Sequence, residues 1–369
     1  MRLVLTGQVG LDKRPYADLI ARIAREEGFD CQVFHVGNMM YDEAPDVAAG
    51  RILDLPLGRL QSLRRAVFKD ILAASRNGAN LIINTHATFR WRHGLFCAFD
   101  FDQMKQLDAD IYVTLVDNVD SVHHRLGAQG HTNHSLKDIM VWREEEILAT
   151  ELLSQVVAGH NRYFIAARGQ AEQTARSMVR LMFQPQIKKV YLSFPMSHVM
   201  DLPDQLAQID AFREQMKQYF VCFDPGDLEE KYLCNVAVEA ARKGEKVVEI
   251  GQLGEKTTVE TTELLSIIPD IDGQIYARDF KLIDQSDMII SLIPELPNGK
   301  PGLSSGVERE LQHAHEATRE AFVIWLPAAE PSPFVTETAT RIFRSCDEAV
   351  EYFLQKGYVP KPPSNTLFG

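Results

Sequence analysis

The chain has 369 residues and a net charge of −12, with 51 acidic against 39 basic side chains. It therefore lacks the broad basic footprint of a protein that grips an extended nucleic-acid surface. Its apolar runs fall short of the roughly 20 residues of a membrane span, and its five cysteines (Cys31, Cys97, Cys222, Cys234, Cys346) are odd in number and lack metal-type spacing. These features predict a reduced, cytoplasmic protein, and a usual size of roughly 100–200 residues per domain predicts two domains.

In chain order, LVLT (3–6) reads as a buried strand and GQVGLDKR (7–14) as a loop. PYADLIARIAREE follows as a helix with Leu19, Ile20 and Ile23 on one face. Further strands are predicted at CQVFHV (31–36), NLIINTH (80–86) and DIYVTLVD (110–117), with helical segments between them, an alternation that makes a mainly parallel α/β sheet. After the helical QAEQTARSMVRLM comes the proline-bearing FQPQIK, which places a linker at 183–188 behind a first domain of 1–182. The alternation then restarts with VYLSF (190–194), a helix near 203–219, YFVCFD (219–224), a long polar and helical insert over about 225–272, SDMIISLI (286–293), a helix from about 305, and AFVIWL (321–326). This predicts a second α/β domain over 189–358, with PKPPSNTLFG as a loose tail over 359–369.

The loop at 7–14 carries part of a phosphate-binding pattern. A working GxxxxGK[ST] loop uses glycines for close backbone approach, lysine for the terminal phosphates, and a hydroxyl for Mg²⁺. Gly7 and Lys13 hold the outer positions here, but Asp12 stands where the second glycine belongs and Arg14 replaces the hydroxyl. Together with FHVGNMMYDEA, LIINTHATFRWRHGL and IYVTLVDNVDSVHHRL, this stretch resembles the archaeal-type adenylate kinases and related nucleoside monophosphate kinases over roughly residues 1–180. The resemblance implies a P-loop kinase-like parallel sheet, with Gly7, Gly10, Lys13, Arg14 and Arg125 facing ATP or another nucleotide, accompanied by magnesium. Asn84 replaces the acidic residue that supports Mg²⁺ in that family, and the lid segment reads GAQGHTNHSLKD. Phosphoryl transfer depends on positioning and charge neutralisation, so the altered positions predict a nucleotide-binding module rather than an efficient kinase. His86, His123, His124, His131 and His134 match no compact zinc motif, and no metal site is expected.

Downstream, IYARDFKLIDQSDMIISLI and GLSSGVERELQHAHE place a helix with Arg278 and Asp279, a buried strand, and a small-residue turn opening another helix. In an open α/β sheet such parts converge outside the carboxyl ends of the strands. With VYLSFP (190–195), these segments resemble the nucleoside 2-deoxyribosyltransferase superfamily, especially its 2′-deoxynucleoside 5′-phosphate N-hydrolase branch, over roughly 188–330. The resemblance implies a Rossmann-like sheet, Glu310 as nucleophile, Asp279 protonating the leaving base or positioning substrate, and Tyr191 near the sugar. It also implies Ser304 and Gly306 at the 5′ group, Arg278 beside the substrate, and a homo-oligomer.

The chemistry of the residue types agrees with that pairing. Cleavage of an N-glycosidic bond passes through an oxocarbenium-like state, so one carboxylate must face the anomeric carbon while another group helps the base depart. A glutamate in the first turn of a helix is expected to stay ionised, as a nucleophile must. Phe194 replaces a glycine of the transferases and PMSHVMD replaces a glycine- and arginine-rich loop of the hydrolases, so Ser197 and His198 become the candidate substitutes for phosphate contacts. The sequence thus predicts an N-glycosidase or deoxyribosyltransferase acting on a nucleoside or its 5′-monophosphate, needing no cofactor for that chemistry and fused to a kinase-like nucleotide-binding domain. The alternatives are an active nucleoside monophosphate kinase with a salvage partner domain, or a nucleotide-sensing regulatory protein.

Overall fold

A computed structural model describes residues 1–48, 50–91, 94–130, 134–252 and 254–359. His131 and residues 360–369 of the expected tail lie outside them. The strands of the first half are β1 (Arg2–Thr6), β2 (Cys31–His35), β3 (Asn80–Asn84), β4 (Thr88–Trp91), β5 (Gly94–Cys97), β6 (Ile111–Val116) and β7 (Tyr163–Ala167). Those of the second half are β8 (Lys189–Ser193), β9 (Val221–Phe223), β10 (Val247–Ile250), β11 (Thr257–Glu260), β12 (Met288–Ile293), β13 (Glu320–Trp325) and β14 (Arg341–Phe343). The chain is a mixed α/β protein with two five-stranded parallel sheets, as the alternation of apolar runs and helices predicts. No helix among the described residues is long and apolar enough to cross a membrane.

The chain divides into two compact units. The first comprises Met1–Phe183 and Asp227–Gln274, the second Gln184–Gly226 and Ile275–Gly369. This departs from the expected continuous domain over 189–358, because residues 227–274 belong with the first half of the chain.

In the first unit the sheet order is β2-β3-β1-β6-β7, and every adjacent pair is parallel. Leu3, Val4 and Leu5 of β1 and all six residues of β6 are buried, the near-continuous apolar pattern of central strands covered on both faces. The loop after β1 turns through three left-handed residues, Gly7 (φ 128°), Gly10 (φ 86°) and Asp12 (φ 50°), before the helix Lys13–Glu26. Glycine is obligatory at position 7, where a Cβ would stand 2.5 Å from the Leu115 carbonyl oxygen. The helix begins two residues before Pro15, which sits in the first turn where its missing N–H costs nothing.

The 227–274 segment supplies the helix Lys231–Lys243, the antiparallel β10–β11 hairpin and the helix Thr261–Ser266. Buried charge fastens it to the first half. Arg143 donates to both carboxylate oxygens of Glu230 at 2.7 and 3.1 Å, with both side chains almost wholly buried, and Glu230 also accepts from the Val119 N–H at 2.9 Å. Tyr232 donates to Asp120 at 2.7 Å, and Glu263 accepts from the Leu136 N–H at 2.7 Å.

In the second unit the order is β14-β13-β12-β8-β9, again all parallel. Its core gathers Val190, Leu192, Phe212, Phe220, Ile290, Phe322 and Phe353. Alternation along β8 therefore turns Tyr191 and Ser193 to the opposite face.

Candidate active site

On that face of the second unit, Tyr191 and Ser193 meet a carboxylate. The Tyr191 hydroxyl donates to Oε1 of Glu310 at 3.1 Å, and the Ser193 hydroxyl donates to Oε2 at 2.5 Å. Glu310 comes from the helix Ser305–Glu316, whose start is fixed by Ser304, its Oγ accepting from the Val307 N–H at 3.3 Å. Register does the rest. Val307, Leu311 and Ala314 form the buried stripe of this helix, which packs on β12 and β13, and Glu310 lies one residue from it, with its carboxylate reaching the Tyr191 and Ser193 hydroxyls of β8.

Glu310 is the sixth residue of that helix, not part of its first turn; Glu308 occupies the first turn and is exposed. The expectation that the helix N-terminus keeps Glu310 ionised is corrected accordingly. Desolvation of its carboxylate, followed by the nearby negative charge of Asp279, pushes its pKa up to about 7, against the opposing hydrogen bonds from Ser193 and Tyr191. Tyr191 is pushed well above its usual value by burial and by the charges of Glu310 and Asp279, so it is a neutral donor at all working pH.

The structure thus brings Tyr191, Asp279 and Glu310 to one place, with Arg278 buried and electrostatically felt by Tyr191. Ser304 is buried and committed to its cap, and Gly306 is exposed with room for a Cβ, so neither shows a feature specific to ligand binding. His198 is exposed on the short helix Met196–Val199, and the Ser197 side chain lies outside the described residues. Ser193 was missed by sequence reasoning, although its i, i+2 spacing from Tyr191 on a strand is a signal that would have found it.

The nucleotide-loop candidates of the first unit are engaged with protein. Lys13 is buried, donating through Nζ to the Gly7 carbonyl and lying 3.0 Å from Nδ1 of His86. Desolvation lowers its pKa to about 7. The Gly7 N–H donates to Oε2 of Glu146 at 3.2 Å. Glu146 is wholly buried and also accepts from the N–H groups of Ala87 and Thr88 and from the Thr88 hydroxyl. Nothing in WREEEIL distinguished it from the half-buried Glu144 and Glu145 beside it in sequence. Arg14 points into solvent.

Arg125 bonds Asp117 at 2.7 Å, the Gly10 carbonyl at 3.3 Å, and both oxygens of Glu255 at 2.8 and 2.7 Å, with Asp12 at 3.7 Å. Asn84 donates to Nδ1 of His35 at 3.1 Å. An exposed guanidinium, an amide and an arginine ringed by carboxylates do not suit a magnesium-bound triphosphate, and the loop lacks the hydroxyl through which such loops hold the ion.

Among the described residues no group of histidines, cysteines and carboxylates could hold a metal ion. No family model matches the chain, and no curated protein matches it. Solved structures similar to it include the shikimate kinase of Bacteroides thetaiotaomicron, at 13% identity and TM-score 0.34, covering 49% of this chain and 98% of that one. A shikimate kinase of Acinetobacter baumannii in complex with shikimate is 14% identical, with TM-score 0.36 and coverage of 51% and 95%. A gluconokinase of Sinorhizobium meliloti 1021 is 11% identical, with TM-score 0.33 and coverage of 50% and 94%. Likeness at this level says nothing about substrate or reaction.

Proposed function

We propose that the second unit is an N-glycosidase, hydrolytic or base-transferring, acting on a nucleoside or nucleoside 5′-monophosphate with Glu310 as nucleophile. The observation that carries this reading is the Glu310 carboxylate held through both oxygens by Tyr191 and Ser193, with the charge of Asp279 close enough to raise its pKa.

Each oxygen keeps a lone pair beyond its one hydrogen bond, so the two hydroxyls aim the carboxylate without consuming its nucleophilicity. In the reaction a Glu310 oxygen bonds to the anomeric carbon as the carbon–nitrogen bond breaks, and the electron pair leaves with the base, which takes up a proton. Water, or the nitrogen of a second base, then attacks the same carbon and frees Glu310 as carboxylate. The desolvated Glu310 and Asp279 charges are most favourable opposite the cationic sugar of the transition state, which is where electrostatic stabilisation accelerates a reaction. Asp279 serves as the anion that positions the sugar or, in its protonated form, as the acid whose proton the departing base takes up, the proton released by the attacking water or second base restoring it when the intermediate is resolved.

Incubation of the purified protein with a panel of deoxynucleosides, ribonucleosides and their 5′-monophosphates is expected to release free base, or to exchange it when a second base is present. Glu310→Gln should lower the rate by at least about 100-fold, the scale of losing a covalent nucleophile. Base release undiminished in Glu310→Gln would remove this assignment.

A further inference from the structure

The strand β12 reads MIISLI, and Ser291 is its one polar residue. Ile290 and Leu292 on either side belong to the core on one face of the sheet, so alternation turns Ser291 to the other face, which carries Tyr191 and Ser193. There it is wholly buried, and its hydroxyl oxygen has no hydrogen-bond partner among the described residues. The helix Ser305–Glu316 packs on β12 and β13 and covers this face with Val307, Leu311 and Ala314. A buried hydroxyl left unbonded costs free energy, and an apolar residue of similar size in this central strand would carry no such cost.

Pairing across the sheet supplies a partner for that hydroxyl. β12 and β8 run parallel, with Ser291 opposite Ser193 and Ile289 opposite Tyr191. Paired residues of neighbouring strands share a face and stand about 4.8 Å apart, so two serine hydroxyls in these positions come within hydrogen-bond reach by rotation about χ1. On its other side Ser291 is paired with Val323 of β13, whose side chain offers no polar group. Ser193 has the complementary need. It too is wholly buried and donates to Oε2 of Glu310, but no group among the described residues donates to it, which leaves lone pairs of its oxygen open. A donor without an acceptor and an acceptor without a donor thus lie side by side.

We propose that Ser291 is a positioning residue for Glu310, its hydroxyl donating to the Ser193 oxygen and completing a relay Ser291–Ser193–Glu310 that fixes the carboxylate for reaction. A hydroxyl that accepts a hydrogen bond becomes a better donor, so the second link strengthens the first and favours the ionised form of Glu310. Ser291 acts through Ser193 and touches neither sugar nor base. Its role in catalysis rests on the reading of Glu310 as the reacting carboxylate, whereas the hydrogen bonds of the relay do not.

Titration of the Glu310 carboxyl carbon by NMR, in the full chain carrying isotope-labelled glutamate and assigned through Glu310→Gln, tests the relay without turnover. The other groups that act on Glu310, Tyr191 and the Asp279 charge, with Arg278 felt by Tyr191, are the same in every variant. Ser291→Ala is expected to raise the Glu310 midpoint by at least about 0.3 of a pH unit, the scale on which one hydrogen bond strengthens the next. In a Ser193→Ala background the same substitution should leave the midpoint where it is, because the link to Glu310 is gone. Ser291→Cys, close in shape and carrying a weak thiol donor, should fall between serine and alanine. An unchanged or lowered midpoint in Ser291→Ala, or an equal rise with and without Ser193, would overturn the relay. The raised midpoint in a protein that releases no base would leave the relay standing and remove the N-glycosidase reading alone, which separates the two failures.

Discussion

At Glu310 two hydroxyl donors and one neighbouring carboxylate act in opposite directions. Tyr191 and Ser193 favour the ionised form, while desolvation and Asp279 favour the protonated one, and the outcome is a pKa near 7. A nucleophile must be ionised, so kcat/KM for base release should rise with pH through about 7 in the free enzyme. Asp279→Asn removes a repelling charge and should move this midpoint to lower pH. Ser193→Ala removes a stabilising donor and should move it higher. Measured pH–rate profiles of the three proteins check the order, and a common midpoint in all three would contradict the electrostatic account. Tyr191, Asp279 and Glu310 were legible in sequence as types set in recognisable segments. The pKa of Glu310 was not, because it depends on which helical turn carries the residue and on what lies across from it.

The elements of the first unit show how local motifs acquire their meaning from neighbours. GQVGLDKR does form the loop between a buried strand and a helix, with its glycines in the backbone conformations their type allows. Its cationic partner Arg125, however, is bound in fork geometry by Glu255, which lies between β10 and β11 and is brought to the loop by the 227–274 segment. A phosphate approaching Arg125 must compete with that carboxylate. Glu255→Gln should therefore tighten binding of ATP to the purified protein by about tenfold or more, the usual effect of removing one charge-assisted competitor. Calorimetry on the two proteins checks it, and equal affinities would show that Arg125 is not part of any nucleotide contact. The antiparallel pairs β4–β5 and β10–β11 both escaped sequence reasoning, since their strands are only four residues long and partly polar.

For the molecule as a whole, the consequential feature is that Asp227–Gln274 folds with the first half of the chain. The buried Arg143–Glu230 pair is central to this arrangement. Removing one member of such a pair leaves an uncompensated charge and typically costs about 3–5 kcal/mol. Glu230→Gln should lower the unfolding free energy of the first unit by an amount on that scale in urea denaturation. It should also speed amide exchange in both the Lys231–Lys243 and Val119–Ala128 helices, because Glu230 holds the Val119 N–H as well as Arg143. Exchange confined to one of the two helices would contradict the linkage.

Sequence by itself determined the two parallel sheets, since runs such as LVLT, IYVTLV and MIISLI are apolar on both strand faces and only a covered parallel sheet buries them. It also determined the kinds of residue in the candidate site and the altered positions of the first loop. Tertiary structure decided the rest: the hydroxyl pair on Glu310, the burial of Glu146 and Glu230, and the carboxylate on Arg125. These contacts join residues from 58 to 139 positions apart, and their energies depend on desolvation, which the enclosing fold creates and no local pattern records.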